Sequence, residues 1–187
     1  EYEILKILNG KGLTPKAYHS FGVEGNIYLI MEFIEGETLR DYVERVHHFG
    51  QYNELEEIAK NLIRAVKIIH ENGVVIRDLS PNNIIIQKDL GIKIIDLENA
   101  YIVNSKKPVF KAYTPGYVNP ETITLDRKQF KDDFYSVGAT LFFLSTSLDP
   151  YYSDDKCCNV LMKSKSYLET FKENGIFDQE TADLFRR

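Results

Sequence analysis

Apolar positions along the chain change spacing from helical to extended and back several times, and each change marks an element. Glu1-Tyr2-Glu3-Ile4-Leu5-Lys6-Ile7-Leu8 follows an amphipathic helical pattern that closes at Asn9-Gly10. Ile27 to Phe33 is a nearly continuous apolar run ended by Glu35-Gly36, and reads as a buried strand. Thr38 is a good N-cap for a helix through Leu39, Tyr42, Val43 and Val46. From Leu55 to His70 the apolar residues Leu55, Ile58, Ala59, Leu62, Ile63, Val66 and Ile69 keep the three-and-four spacing of one helical face. That helix should be long, with one side buried, and Asn72-Gly73 should end it. Val74-Val75-Ile76 follows, and then two β-branched runs, Ile84-Ile85-Ile86 and Ile92-Lys93-Ile94-Ile95, joined by Lys88-Asp89-Leu90-Gly91 as a hairpin. Residues 98–119 keep no period and are too long for an ordinary connection, whereas Asp133 to Thr146 is again an apolar helix. The pattern predicts an α+β fold, mainly α with a small β component.

Composition narrows the picture. The chain has 187 residues, 43% of them hydrophobic, which is enough for one sizeable core and at most two small ones. A net charge of -5 provides no basic field for nucleic acid or an anionic membrane surface, and no apolar run is long enough to span a bilayer. The two cysteines, Cys157 and Cys158, are sequence neighbours and lack the usual disulfide geometry, which points to a cytoplasmic, reducing setting. Both ends fall within helical patterns, so the chain reads as part of a longer protein.

Chemistry concentrates in Val75-Ile76-Arg77-Asp78-Leu79-Ser80-Pro81-Asn82-Asn83 and, across the hairpin, in Ile94-Ile95-Asp96-Leu97-Glu98. Taken singly, Asp78 is a turn residue beside Pro81, Asn83 a strand cap and Asp96 a strand-end acid. Taken together, their order and spacing suit phosphoryl transfer, which needs a group to orient the attacking hydroxyl and hard oxygen ligands for metal ions. Asp78 and Asn83 stand five apart, as in the protein-kinase loop H-R-D-L-x-x-x-N, and Asp96 stands where that family's D-F-G aspartate lies.

The chain resembles a protein kinase over essentially its whole length, as the C-terminal lobe with a remnant of the N-terminal lobe. The resemblance assigns residues 1–34 to the end of the family's helix C, two strands and the hinge, and 35–187 to the C-terminal lobe as far as about helix H. Glu1 aligns with the helix C glutamate that pairs with a lysine clamping the nucleotide. Met31-Glu32-Phe33-Ile34 resembles the gatekeeper and hinge, where the backbone at Glu32 and Ile34 would bond the adenine of ATP or GTP. Thr114-Pro115-Gly116-Tyr117-Val118-Asn119-Pro120-Glu121 resembles the end of the activation segment, with Thr114 bonded near Asp78 and Glu121 as its closing acid. Asp133-Phe134-Tyr135-Ser136-Val137-Gly138 resembles the helix whose aspartate ties down the catalytic loop. The resemblance implies that Asp78 orients a peptide hydroxyl beside Arg77 and Asn83, that Asn83 and Asp96 hold Mg²⁺ or Mn²⁺, and that the substrate is a peptide or protein bearing Ser or Thr.

The spellings Arg-Asp-Leu-Ser-Pro-Asn-Asn, Asp-Leu-Glu and Thr-Pro-Gly-Tyr are also similar to the kinase domain of class III and class IV lanthionine synthetases. That likeness implies lyase and cyclase domains elsewhere in the polypeptide and a precursor peptide as substrate. Three positions depart from the wider family. Ile76 replaces the histidine of His-Arg-Asp, Ser80 replaces a lysine near the γ-phosphate, and Glu98 replaces the glycine of Asp-Phe-Gly, adding a carboxylate by the metals. No Gly-rich loop or clamping lysine is present, so these 187 residues alone should show no appreciable catalysis. A regulatory pseudokinase and a small-molecule phosphotransferase remain as rival readings. Tyr113, Thr114 and Ser105 are candidate phosphorylation sites with Arg77 as phosphate partner. His47-His48 read as a surface pair, His19 and His70 as packing residues, and Tyr151-Tyr152 as a loop.

Overall fold

The computed structural model describes residues 1–50, 52–103, 105, 113–119 and 130–150. Glu121, Cys157, Cys158, Tyr151 and Tyr152 lie outside the described residues.

Among the described residues, four helices and seven short strands follow one another as α1 (Tyr2–Leu8), β1 (Ala17–Val23), β2 (Asn26–Met31), β3 (Glu37–Thr38), α2 (Leu39–Phe49), α3 (Leu55–Glu71), β4 (Val74–Val75), β5 (Ile84–Ile86), β6 (Ile92–Ile94), β7 (Tyr101–Ile102) and α4 (Phe130–Thr146), with one 3₁₀ turn at Pro81–Asn83. The α+β expectation holds. Thr38 caps α2 as its residue type predicts, since its hydroxyl accepts from the Asp41 amide at 3.1 Å. Gly50 ends the same helix in the left-handed conformation. Helix α3 buries Ile58, Leu62, Ile63, Val66 and Ile69, the stripe its spacing marks out. Each such side chain contributes roughly 1.5–3 kcal/mol relative to exposure. Helix α4 is buried nearly all round and packs on both α2 and α3, so it forms the centre of the core.

Among the described residues the strands form three small antiparallel sheets. β5 and β6 pair Ile84 with Ile94 and Ile86 with Ile92, the hairpin expected from sequence, and β3 adds to its other edge. β4 pairs with β7, Val75 opposite Tyr101, which places a strand inside the segment that shows no period in the sequence. Two residues are too few to carry a periodic signal.

Two expectations need correction here. The run 27–33 does form a strand, but it is exposed rather than buried: Ile27 is 84% exposed and Phe33, beyond the strand's end, 87%. Among the described residues β2 pairs only with β1, a strand that sequence spacing did not suggest; α1 touches β1, and Ala17 and Leu29 pack against the core, but most positions of this two-stranded ribbon are exposed. His19, Phe21 and Tyr28 stack along it instead. Helix α4 also begins at Phe130, three residues ahead of Asp133, which places Asp133 inside the first turn.

Gly36, between the hinge segment and β3, passes so close to β5 that a Cβ would lie 2.4 Å from the Ile86 carbonyl oxygen. Its φ of +155° is one that side-chain-bearing residues rarely adopt. Gly36→Ala should therefore lower the urea midpoint by the equivalent of about 1–3 kcal/mol at unchanged m value; an unchanged midpoint would show that the chain can move off the strand.

Candidate active site

The loop from Ile76 to Asn83 is held in place from behind. Asp133, fully buried, accepts the Ile76 amide on Oδ2 and the Arg77 amide on Oδ1, both at 2.8 Å. His70 Nε2 lies 2.7 Å from the same Oδ2, within hydrogen-bond distance. His70 is thus more than the packing residue its sequence position suggests: it reaches from α3 to α4, with Phe130 and Phe134 against its ring. His47 is half-buried, with Nε2 3.0 Å from the Leu144 carbonyl oxygen, while His48 stays exposed. Ile76 is buried in the core, a place a hydrocarbon side chain suits.

Backbone strain gathers at this loop and at its partner segment. Arg77 has φ +73° and Asp96 φ +56°, both in the left-handed region that costs a non-glycine residue about 1 kcal/mol or more. The two Asp133 bonds hold the first of these in place. Arg77 turns inward, its Nη1 donating to the Asn99 carbonyl at 3.2 Å and its guanidinium facing the Tyr101 ring. Of the candidate phosphorylation positions, Tyr113 is exposed and the Ser105 hydroxyl is bonded to the Ile102 carbonyl.

Asp78, half-buried, receives the Thr114 amide at 2.9 Å and the Thr114 hydroxyl at 2.8 Å on one oxygen, Oδ1. Thr114 therefore meets Asp78 as expected. The other oxygen has no hydrogen-bond partner among the described residues. Asn83 donates its Nδ2 to the Asp78 carbonyl at 3.0 Å, which leaves the amide oxygen as its outward ligand atom. Asp96 comes to the same end of the hairpin because Ile84 pairs with Ile94 and the Ile95 amide bonds the Asn83 carbonyl at 2.9 Å. Its carboxylate is exposed, as is that of Glu98, with buried Leu97 between them.

Glu1 faces this segment, accepting the Leu97 amide on Oε1 at 3.3 Å. Burial pushes its carboxyl above the usual range, and Asp96 and Glu98 add to the rise against the lowering effect of the Leu97 bond. Met31 ends β2, Glu32 donates its amide to the Lys16 carbonyl at 2.8 Å, and the residues from Glu32 to Glu35 have no regular structure. Ile34 is half-buried there. Ser80 is buried, and its hydroxyl has no partner among the described residues, so that position offers a phosphate neither charge nor an exposed donor.

No cluster of three or more His, Cys, Asp or Glu side chains able to hold a metal ion occurs among the described residues. The donor set fits a hard cation all the same: one amide oxygen and one free carboxylate suit Mg²⁺ when phosphate oxygens and water complete the shell. No helix among the described residues is long and apolar enough to cross a membrane.

A second cluster, not anticipated from sequence, adjoins the first. Arg40, in the first turn of α2, donates Nε to Asn82 Oδ1 at 3.0 Å, and Nη1 and Nη2 to the two oxygens of Asp149 at 3.2 and 2.6 Å. The Tyr117 hydroxyl donates to Asp149 Oδ1 at 2.7 Å. These partners lie 42 and 109 residues from Arg40, a separation that leaves no local sequence signal.

The protein kinase domain family matches residues 1–185, and the chain belongs to it. Its relatives include the serine/threonine-protein kinase cds1 of Schizosaccharomyces pombe, 27% identical over all of this chain and 42% of the relative. The cAMP-dependent protein kinase catalytic subunit of the same organism is 30% identical over 70% of this chain and 25% of its own length. A probable serine/threonine-protein kinase of Clostridium acetobutylicum is 29% identical over 73% of the chain and 21% of its own. The chain spans less than half the length of each.

Two expected outcomes follow from these contacts. Asp133→Ala orphans two buried amides at about 1–3 kcal/mol each, so urea denaturation should show a loss of about 2–6 kcal/mol; a loss below 1 kcal/mol would mean the loop is held some other way. The Arg40 guanidinium, aided by the Tyr117 hydroxyl and opposed by burial, holds the Asp149 carboxyl below its usual range. A carboxylate with a lowered folded-state pKa stabilises above its unfolded pKa of about 3.9 and loses that contribution as pH falls. The stability gap between the wild type and Asp149→Asn should accordingly be full at pH 6 and close toward pH 3.

Proposed function

We propose that the intact protein is an ATP-dependent serine/threonine kinase and that this chain carries the hydroxyl-orienting and metal-binding half of its site. The observation that supports this most is the Asp78 carboxylate, held on one oxygen by Thr114 and open on the other, next to Asn83 and Asp96 at the end of one hairpin. In this reading the free Asp78 oxygen accepts the hydrogen bond of a peptide Ser or Thr hydroxyl, orients it and takes its proton as transfer proceeds. Thr114 fixes the carboxylate's rotation and brings the substrate-side segment against it. Asn83 and Asp96 would hold Mg²⁺, which neutralises phosphate charge when bound. In this reading Glu1, which accepts the Leu97 amide beside Asp96, would pair with a cationic group of the nucleotide site, and the backbone of Glu32 and Ile34 would take the adenine.

Within this reading, the spellings of residues 77–83, 96–98 and 114–117 support a lanthionine-synthetase kinase domain acting on a precursor peptide, with lyase and cyclase domains in the same polypeptide. A regulatory module that binds nucleotide without turnover is the second reading, favoured by the buried, uncharged Ser80 in place of a γ-phosphate lysine.

With the full-length protein, ATP, Mg²⁺ and a Ser/Thr peptide, Asp78→Asn should lower kcat by about 10²–10⁴-fold while nucleotide still binds. Asp96→Ala should abolish metal-dependent nucleotide binding. Wild-type nucleotide binding with no transfer to any peptide would sink the kinase reading in favour of the regulatory one.

A further inference from the structure

The geometry points to Arg40 as a positioning residue that locks the Asn82-Asn83 turn to the Thr114–Tyr117 segment through Asp149, so that the metal side and the substrate side of the site are set by one guanidinium. It rests on the kinase reading for its catalytic meaning, though not for its physical content.

Four segments meet at this side chain. Arg40 itself belongs to α2, Asn82 to the 3₁₀ turn that carries Asn83, Tyr117 to the segment that carries Thr114, and Asp149 to the residues just after α4. The ring of Phe143, from α4, lies under the guanidinium with its centroid at 4.7 Å, and Glu44 completes the surround at 3.4 Å. Only a planar fork can send Nε to one partner and both terminal nitrogens to another; a lysine has one point of charge and cannot reach Asn82 and Asp149 together. A second contact independently ties the same two segments. Gly116, at φ +88°, lies so close to the residue after Asp149 that a Cβ would fall 2.0 Å from the Pro150 carbonyl oxygen. The segment around Thr114 therefore has little freedom apart from Asp149, and Asp149 has little apart from Arg40. Through Thr114 the chain of contacts returns to Asp78, and through Asn82 it reaches Asn83, which itself donates to the Asp78 carbonyl. The two routes close a ring around the catalytic carboxylate.

The test uses Arg40→Met and Arg40→Lys in the full-length protein, read first by amide hydrogen exchange. Arg40→Met should speed exchange at the Asn83 and Tyr117 amides together by about tenfold, and Arg40→Lys should restore less than half of that protection. In kinase assays the half-saturating Mg²⁺ concentration and the KM for peptide should both rise about 3–10-fold, well below the melting temperature, a split that a general loss of stability would not produce. Faster exchange confined to residues 40–44, or at Asn83 without Tyr117, would overturn the proposal. If the wild type transfers no phosphate, the kinase reading falls while the exchange result still decides the coupling. Should Arg40→Met not fold, Tyr117→Phe removes a single hydroxyl from the same ring, and unchanged Asn83 exchange in that variant would equally overturn it.

Discussion

The buried carboxylate of Asp133 is the contact on which the rest of the site depends. It has no solvent to satisfy it, so it must find partners inside the protein, and the partners it finds are the two amides that begin the loop carrying Asp78 and the imidazole of His70. The dependence runs in both directions. The amides of Ile76 and Arg77 sit between β4 and the 3₁₀ turn, where no ladder or helix supplies an acceptor, and without Asp133 they would be buried and unpaired. Arg77 moreover takes a left-handed φ that the chain would leave if those bonds were absent. An acid in the first turn of α4 thus fixes the direction in which Asp78 leaves the core.

Much of this was legible in sequence, and the parts that were have a common cause. α2, α3 and the β5–β6 hairpin each carry their whole signal within a window of a few residues: a cap at Thr38, a three-and-four stripe from Ile58 to Ile69, two β-branched runs around Gly91. The candidate site residues Asp78, Asn83, Asp96, Thr114 and Asp133 stand out in sequence for a different reason, since their types and order match the pattern of the family to which the chain belongs. The structure brings Asp78, Asn83, Asp96 and Thr114 to one place, and sets Asp133 behind them.

What was missed depends on distance or on cover. The ribbon of β1 and β2 has the apolar content of a core strand, and pattern alone cannot tell whether anything lies on top of it. Tyr101–Ile102 is a strand only because Val74–Val75 is there to pair with it. His70 and Arg40 gave no signal because each one's partner lies more than forty residues away along the chain, and a polar residue in a helix looks the same whether its side chain meets water or a buried acid.

The departures from the wider family acquire a physical sense once the contacts are known. Ile76 replaces a polar ring with a hydrocarbon at a buried point whose backbone, rather than its side chain, carries the anchoring bond to Asp133, so the loop's position survives the change. Ser80 does not compensate in that way: it is a buried, uncharged residue at the position where the wider family carries a lysine. Arg40 cannot fill that role, because its guanidinium is committed to Asp149 and Asn82. Arg77 cannot either, since its side chain is turned toward Asn99 and Tyr101. Among the described residues the loop therefore holds its geometry by neutral and anionic acceptors, and under the proposed kinase reading the cationic stabilisation that phosphoryl transfer demands would fall to metal held by Asn83 and Asp96 and to groups outside this loop.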